Sequence, residues 1–350
     1  MIKKIIYLSN TRLDYSLNAV LIKGLRENSV RVADLRVQKG VFGFINALSF
    51  YGRNSKDADL VIIGYNSQPL AFFLKPFCRK KVIYNAVLSE YERMVISRQL
   101  ARKLSFKGVY YWLLDFLAAH SADLILVESN EQANFFNKLF KVSKKKLYRS
   151  WIGSDEDKFY HDPSVPKQAV FTVLFRGALM PEAGAEYVIK AAKILEGENI
   201  NFVLIGGGLL MEKTKKLIKD IAPKNLKHII DYVPDDALRT LMQSCHISLG
   251  QLSHHVRLKR TLPHKVYETL SMRLPYLTSA NTGVLELLTP DETCLLCSPA
   301  DERSLADKIL WIRNNYSIAE KIAENGYKLY QNKLKSAILA KNLLDKVETV

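Results

Sequence analysis

The feature that most restricts how this chain can fold is a long alternation of short apolar runs with segments of helical period. The runs KKIIYLS, SVRVADL, ADLVIIG, KKVIYNA, ADLILVES and KKLYRSW fill the first half. After the breaker-rich stretch GSDEDKFYHDPSVPKQA the alternation resumes with VFTVLFRG, INFVLIGGG, LKHIIDYV, CHISLG, LPYLTS and ETCLLCS. Between them lie segments such as AEYVIKAAKIL and DERSLADKILWI, whose apolar residues recur at helical spacing. Strands alternating with helices predict parallel sheets covered on both faces. The fold class expected is therefore α/β, two doubly wound Rossmann-like domains. Their expected bounds are residues 1–160 and 161–330, with residues 331–350 forming a helix that packs back on the first domain. Ligands of open parallel sheets bind beyond the carboxyl ends of the strands. Two such sheets predict a cleft with one substrate on each side.

Length agrees with this division, since 350 residues exceed what one core usually fills. No apolar run approaches the roughly 20 residues needed to cross a bilayer. The start, MIKKIIYLSN, has too short an apolar core for a secretory signal and reads as a first buried strand. A cytoplasmic location is expected, with an option of peripheral attachment to the inner face of the membrane.

Charge is unevenly spread. Residues 1–160 hold 26 Lys+Arg against 14 Asp+Glu, and the remaining residues 25 against 21. A basic first half implies an anionic partner. The segment RMVISRQLARKLSFKG has helical spacing with Arg93, Arg98, Arg102, Lys103 and Lys107, and the aromatic FKGVYYWLLDFLAAH follows. A basic amphipathic helix beside an aromatic one suits an anionic bilayer, and equally a core helix with a solvated basic face. Nucleic acid is not expected, because none of the usual binding motifs is present.

The pair Cys294 and Cys297 in CLLC suggests metal or redox chemistry, but no second knuckle exists for zinc. The apolar setting suits a buried strand with two inert thiols. No metal and no cofactor is expected.

The strongest candidate for chemistry is TLPHKVYETLSMRLPYLTS. Pro263 suits a first helical turn, Lys265 follows within it, and Glu268 lies three residues on, on the same face. One reading is an anion site, with a diphosphate against Lys265 and vicinal hydroxyls against Glu268; the other is a surface ion pair. The order FRGALMPEAGAEYVIKAAKIL, FVLIGGG, HIIDYVPDDALRTLMQSCHISLGQL, then TLPHKVYETLSMRLPYLTS and GVLELL resembles family-4 glycosyltransferases, the group 1 enzymes of GT-B fold. They are retaining, metal-independent enzymes that use nucleotide-diphosphate sugars. The likeness runs over about residues 171–315 and extends to 121–160 through SADLILVES and YRSWIGSDEDKFY.

The resemblance implies that Lys265 neutralises the donor diphosphate, that Glu268 holds the ribose hydroxyls, and that Glu286 stands near the donor sugar at a helix start. It further implies that Gly177 and Gly206–Gly208, Gly207 among them, let the backbone approach the nucleotide, with Tyr232 or Val233 beside the base. The chain departs from the pattern G-R-x-x-P-E-K-G, where it has alanine at both cationic positions, Ala178 and Ala183; Arg176 comes one residue early. Arg260 stands where relatives often carry a glutamate, and Arg257, Lys259 and Arg260 are candidates to supply the missing charge. The first half lacks a glycine-rich turn after its first strand and offers Arg12 instead. After the fourth strand, Asn85 and Glu90 stand in for the usual His or Asp, as contacts to acceptor or donor sugar. The expected function is transfer of a hexose from a UDP- or GDP-sugar to a saccharide or lipid-linked acceptor in surface-glycan assembly. The rivals are an inert sugar-nucleotide-binding scaffold and a nucleotide-sugar epimerase.

Overall fold

Each of the twelve apolar runs forms a parallel strand in the computed structural model, which describes residues 2–349. In chain order the first unit contains β1 (Lys4–Ser9), α1 (Ser16–Glu27), β2 (Arg31–Arg36), α2 (Val41–Asn54), β3 (Leu60–Ile63) and α3 (Gln68–Leu74). It continues with β4 (Lys81–Asn85), α4 (Phe106–Ser121), β5 (Leu124–Val127), α5 (Asn130–Phe140) and β6 (Leu147–Arg149). The sheet order is β2-β1-β3-β4-β5-β6, parallel throughout. Strands β3 and β5, LVII and LILV, are buried at every residue, as central parallel strands covered on both sides must be.

The pleat sends alternate residues to opposite faces. Ile6 and Leu8 of β1 join a core with Ala47, Leu70, Ala118 and Phe136 from α2 to α5. Ile5 and Tyr7 join Ile22 and Leu25 of α1 on the other face.

The second unit holds β7 (Phe171–Arg176), α6 (Ala185–Ile194), β8 (Ile200–Ile205), α7 (Met211–Ile221), β9 (Leu226–Ile229) and α8 (Asp235–Ser244). Then come β10 (Ile247–Leu249), α9 (Lys265–Ser271), β11 (Tyr276–Ser279), α10 (Thr282–Leu285), β12 (Leu295–Cys297), α11 (Glu302–Asn314) and α12 (Tyr316–Lys333). Its sheet order is β12-β11-β10-β7-β8-β9, again parallel. Asp301 sets the start of α11 by accepting from the Arg303 and Ser304 backbone N–H groups at 3.0 and 2.9 Å.

The units divide between Asp155 and Glu156, and residues 333–350 belong to the first. There α13 (Ser336–Glu348) lies on α1: Asn28 donates to the Ala337 carbonyl at 2.8 Å and the Ser336 hydroxyl to Glu27 at 2.7 Å. Ala340, Leu343 and Val347 complete the core beneath β1.

Two local expectations are corrected. The run LKHIIDYV is strand only to Ile229, because its partner β8 ends at Ile205 and the ladder has nothing further to pair with. The segment RMVISRQLARKL is not a continuous helix. It makes one π-helical turn at Glu92–Ser97, and Gln99 then adopts a left-handed φ of 52° that stops it. Helix α4 starts afresh at Phe106, with the Ser105 hydroxyl accepting from Gly108 N–H at 3.1 Å.

Candidate functional site

The second unit gathers its buried charge at the carboxyl ends of β7 and β8. Gly177 N–H bonds the Ile205 carbonyl at 3.0 Å, and Leu179 N–H bonds that of Gly207 at 2.9 Å. Gly177, Gly206 and Gly208 have φ of 133°, 140° and 144°, and a Cβ on Gly206 would lie 2.0 Å from the Gly177 carbonyl oxygen. The glycine run after β8 is therefore needed to bring the two turns together.

Against this floor lies Lys265, the first residue of α9. It is 7% exposed, with its ammonium 4.1 Å from the centre of the Phe175 ring and 3.4 Å from the Gly250 carbonyl. A Cβ on Gly177 would sit 3.6 Å from its Nζ. Burial, then the nearby Arg176 charge, lowers its pKa to about 7. Among the described residues Lys265 has no carboxylate partner.

Glu268 has one. Its Oε2 pairs with the Arg176 guanidinium, and its Oε1 accepts from His264 Nδ1 at 3.1 Å. Arg176 lies over the Phe159 ring at 5.5 Å; burial lowers its pKa to about 10, so it stays charged at neutral pH. His264, held to about 3 by burial and by the Arg176 charge, is neutral and donates through Nδ1; its buried Nε2 finds no partner among the described residues. The cluster thus holds two cations and one carboxylate. With Lys265 protonated, these described side chains carry one positive charge in excess.

The site residues expected from sequence fall into three groups. Gly177, Gly207, Lys265 and Glu268 come together as just described. Arg257 does not face an open pocket, because its guanidinium is bound to Glu182 at 2.7 Å and both side chains are largely buried. The same loop is locked by the Ser253 hydroxyl to the Glu182 carbonyl at 2.9 Å. Arg260 follows the turn Val256–Lys259 and is half-buried, while Lys259 is exposed. Glu286 stands at the end of α10 rather than at a helix start, since that helix closes at Leu285. Tyr232 is 82% exposed in the loop after β9, and Val233 packs half-buried against the group containing Phe159 and Ile205.

In the first unit Arg12 is held by Asp14 through two hydrogen bonds at 2.9 and 2.5 Å. Asn85 ends β4, buried, beside the Tyr7 hydroxyl. Glu90 accepts from Arg93 Nε at 3.0 Å and from its Nη2 at 2.7 Å. Asn18 does the work of the absent glycine-rich turn. Its amide donates to Thr11 Oγ1 and the Arg12 carbonyl, both at 2.9 Å, and its oxygen accepts from Tyr7 at 2.9 Å and the Tyr65 N–H at 3.1 Å.

Two participants were not assigned roles from sequence. His264 had its signal in the spacing HKVYE, which puts a ring nitrogen within reach of Glu268 one turn on. Arg176, judged one residue early, is the last paired residue of β7 and keeps the strand's alternation: it lies over Phe159 on the face of Leu174, where Glu268 of α9 meets it. Cys294 and Cys297 are buried, their thiols raised to about 12 by burial.

Residues 157–329 match the family model described as glycosyl transferases group 1. The chain is 27% identical over 157 residues to 2-deoxystreptamine N-acetyl-D-glucosaminyltransferase of Niallia circulans and 26% over 155 residues to alpha-D-kanosaminyltransferase of Streptomyces kanamyceticus. These alignments cover 43% and 44% of this chain but only 38% and 39% of those relatives. Among solved structures, HepE of Anabaena in complex with UDP and glucose superposes with a TM-score of 0.75 at 14% identity, over 99% of this chain and 100% of that one. Sucrose-phosphate synthase of Thermosynechococcus elongatus gives 0.76 at 13%, over 99% and 98%. The fold is thereby the GT-B fold of glycosyltransferases, as the alternation of strands and helices with the residue resemblance had led us to expect, and it is the second unit, over residues 157–329, that matches glycosyl transferases group 1.

Proposed function

We propose that the chain is a glycosyltransferase that moves a hexose from a UDP- or GDP-sugar to a saccharide or lipid-linked acceptor, with retention at the anomeric carbon and without a metal. The observation that carries this reading is Lys265, a buried ammonium beside the Gly177 turn that has no carboxylate partner among the described residues. A diphosphate supplies the anion this group lacks. As the bond from C1 to the diphosphate breaks, the acceptor oxygen bonds to C1 on the same face and its proton passes to the departing phosphate oxygen. Lys265 offsets the growing negative charge, and Arg176 adds to the positive field. Glu268 keeps lone pairs beyond those used by Arg176 and His264, and these accept from the ribose hydroxyls.

The test is transfer of labelled sugar with UDP- and GDP-hexoses, product anomers assigned by NMR, with and without chelator. Lys265→Ala should lower turnover by about 10²-fold or more; near-normal transfer in that variant removes the reading. Ala178 and Ala183 favour a second reading, an inert nucleotide-sugar binder, since Ala183 is packed in the core where no cation fits. Nucleotide-induced stabilisation with neither transfer nor donor hydrolysis would select it.

A further inference from the structure

The first unit carries an apolar surface that its own core does not use. On α4 the residues Phe106, Val109, Tyr110 and Leu113 are exposed by 88, 51, 48 and 43%. Their spacing is that of one helical stripe, yet the stripe faces solvent while Ala118 and Ala119 of the same helix enter the core. The preceding turn adds Leu100 and Leu104, the latter 95% exposed. This turn is fixed rather than trailing: a Cβ on Gly108 would lie 2.2 Å from the Arg102 carbonyl oxygen, so the turn is folded onto the start of α4. Helix α3 packs between α2 and α4, and Phe73 and Phe77, both more than half exposed, lie within 6.1 Å of the Phe44 ring of α2. Helix α2 opens with Val41 and Phe42, exposed by 73 and 88%.

The charge around these residues is of one sign. Residues 35–56, 60–89 and 93–114, which make up α2, α3 and the start of α4 with their flanks, contain thirteen Lys and Arg and no Asp or Glu. Lys39, Arg102, Lys103 and Lys107 are exposed beside the apolar side chains. The acids that interrupt these stretches are Asp57 and Asp59, which bond Lys4, and Glu90 and Glu92, which are buried; Asp123 pairs with Lys75. Among the described residues no helix is long and apolar enough to cross a membrane.

We propose that this face of the first unit lies on an anionic lipid bilayer, with Phe42, Leu104, Phe106 and Tyr110 entering the boundary between headgroups and acyl chains and the flanking lysines and arginines meeting the lipid phosphates. A second copy of the chain would bury the apolar residues equally well but would set one basic rim against another. A bilayer accounts for both features, since each cation near an anionic leaflet strengthens binding about fivefold. The inference goes beyond the donor site and draws on none of its residues.

The full chain is sedimented with phosphatidylcholine vesicles, with and without phosphatidylglycerol, at low and high salt. Binding to the anionic vesicles, weakened by salt and absent from the neutral ones, is the expected result. Leu104→Ser with Phe106→Ser, and separately Lys103→Glu with Lys107→Glu, should each reduce it by about tenfold or more. Stabilisation by UDP or GDP is measured on the same variants and should not change, which separates failure of this surface from failure of the donor site. Equal binding by both variants and the unaltered chain overturns the proposal, as does no binding at all. Self-association that the Leu104→Ser, Phe106→Ser variant abolishes, without vesicle binding, would assign the face to a second copy instead.

Discussion

The Arg176 guanidinium and the Glu268 carboxylate form a buried ion pair at the carboxyl end of β7, with side chains 17 and 6% exposed. Breaking such a pair from one side leaves an uncompensated charge in a dry place. Glu268→Gln should therefore destabilise the protein by about 3 kcal/mol, read from urea denaturation. Replacing both partners, Arg176→Met with Glu268→Gln, should recover part of that loss, because the guanidinium is no longer left without its carboxylate. A double variant whose loss equals or exceeds the sum of the singles would show that the pair is not coupled as described.

Lys265 makes nucleotide binding depend on pH. Its pKa of about 7 lies below the ordinary 10.5, since burial disfavours the charged form. A diphosphate binds to the protonated amine and raises its pKa, so binding takes up a proton. Affinity for UDP or GDP should fall above about pH 7, by up to tenfold per unit while the lysine is neutral in the free protein and charged in the complex. Titration calorimetry across this range, repeated on Lys265→Met, checks the assignment: the variant should bind weakly and lose the slope.

The same lysine acts on folding with the opposite sense. Between about pH 7 and 10.5 the unfolded chain holds a proton on Lys265 that the folded chain does not, so this group's contribution to stability rises with pH across that window. Below about pH 7 folding must bury the ammonium, at a cost that Lys265→Met removes. The stability advantage of that variant should be largest near neutrality and shrink toward pH 10.

The fold was legible because its signal is repeated twelve times. Each strand core is a short apolar run with a breaker after it, and parallel sheets buried on both faces leave little room for another reading. The edges were less so. LKHIIDYV is apolar enough to continue as strand, but whether it does depends on β8 offering a partner, which its own residues do not encode. The basic segment before α4 fails as a helix through a left-handed residue, Gln99, which composition does not mark. At the site, Lys265 and Glu268 were visible because both lie on one short helix. The partners Arg176 and His264 were not read as such, since one belongs to a distant strand and meets Glu268 only once α9 is packed beside the end of β7. Arg257 shows the reverse: a loop cation that looks available in sequence is bound to Glu182 once the chain is folded.

The glycine turns give a contrast that sequence alone does not. Gly206→Ala places a Cβ 2.0 Å from the Gly177 carbonyl oxygen at a φ of 140°, and should cost at least ~2 kcal/mol or prevent folding. Gly197→Ala meets nothing within 4 Å and should change stability by less than ~1 kcal/mol. Thermal denaturation of the two variants side by side checks this.

The thiols offer a test of the buried-strand reading of CLLC. Cys294, Cys297 and Cys245 are buried, and burial raises all three to about 12. The thiolate is the reactive species, so at pH 8 these groups are both protonated and shielded in the folded chain. Alkylation by iodoacetamide should be slow under native conditions and fast in urea, and its native rate should follow the fraction unfolded rather than the reagent's access to a surface site. Mass spectrometry of the peptide spanning residues 289–301 reads both cysteines of the motif at once. Rapid labelling of Cys294 or Cys297 in the folded protein would mean that β12 is not the closed edge of the second sheet, and the packing of Leu295 and Cys297 beneath α11 would have to be redrawn.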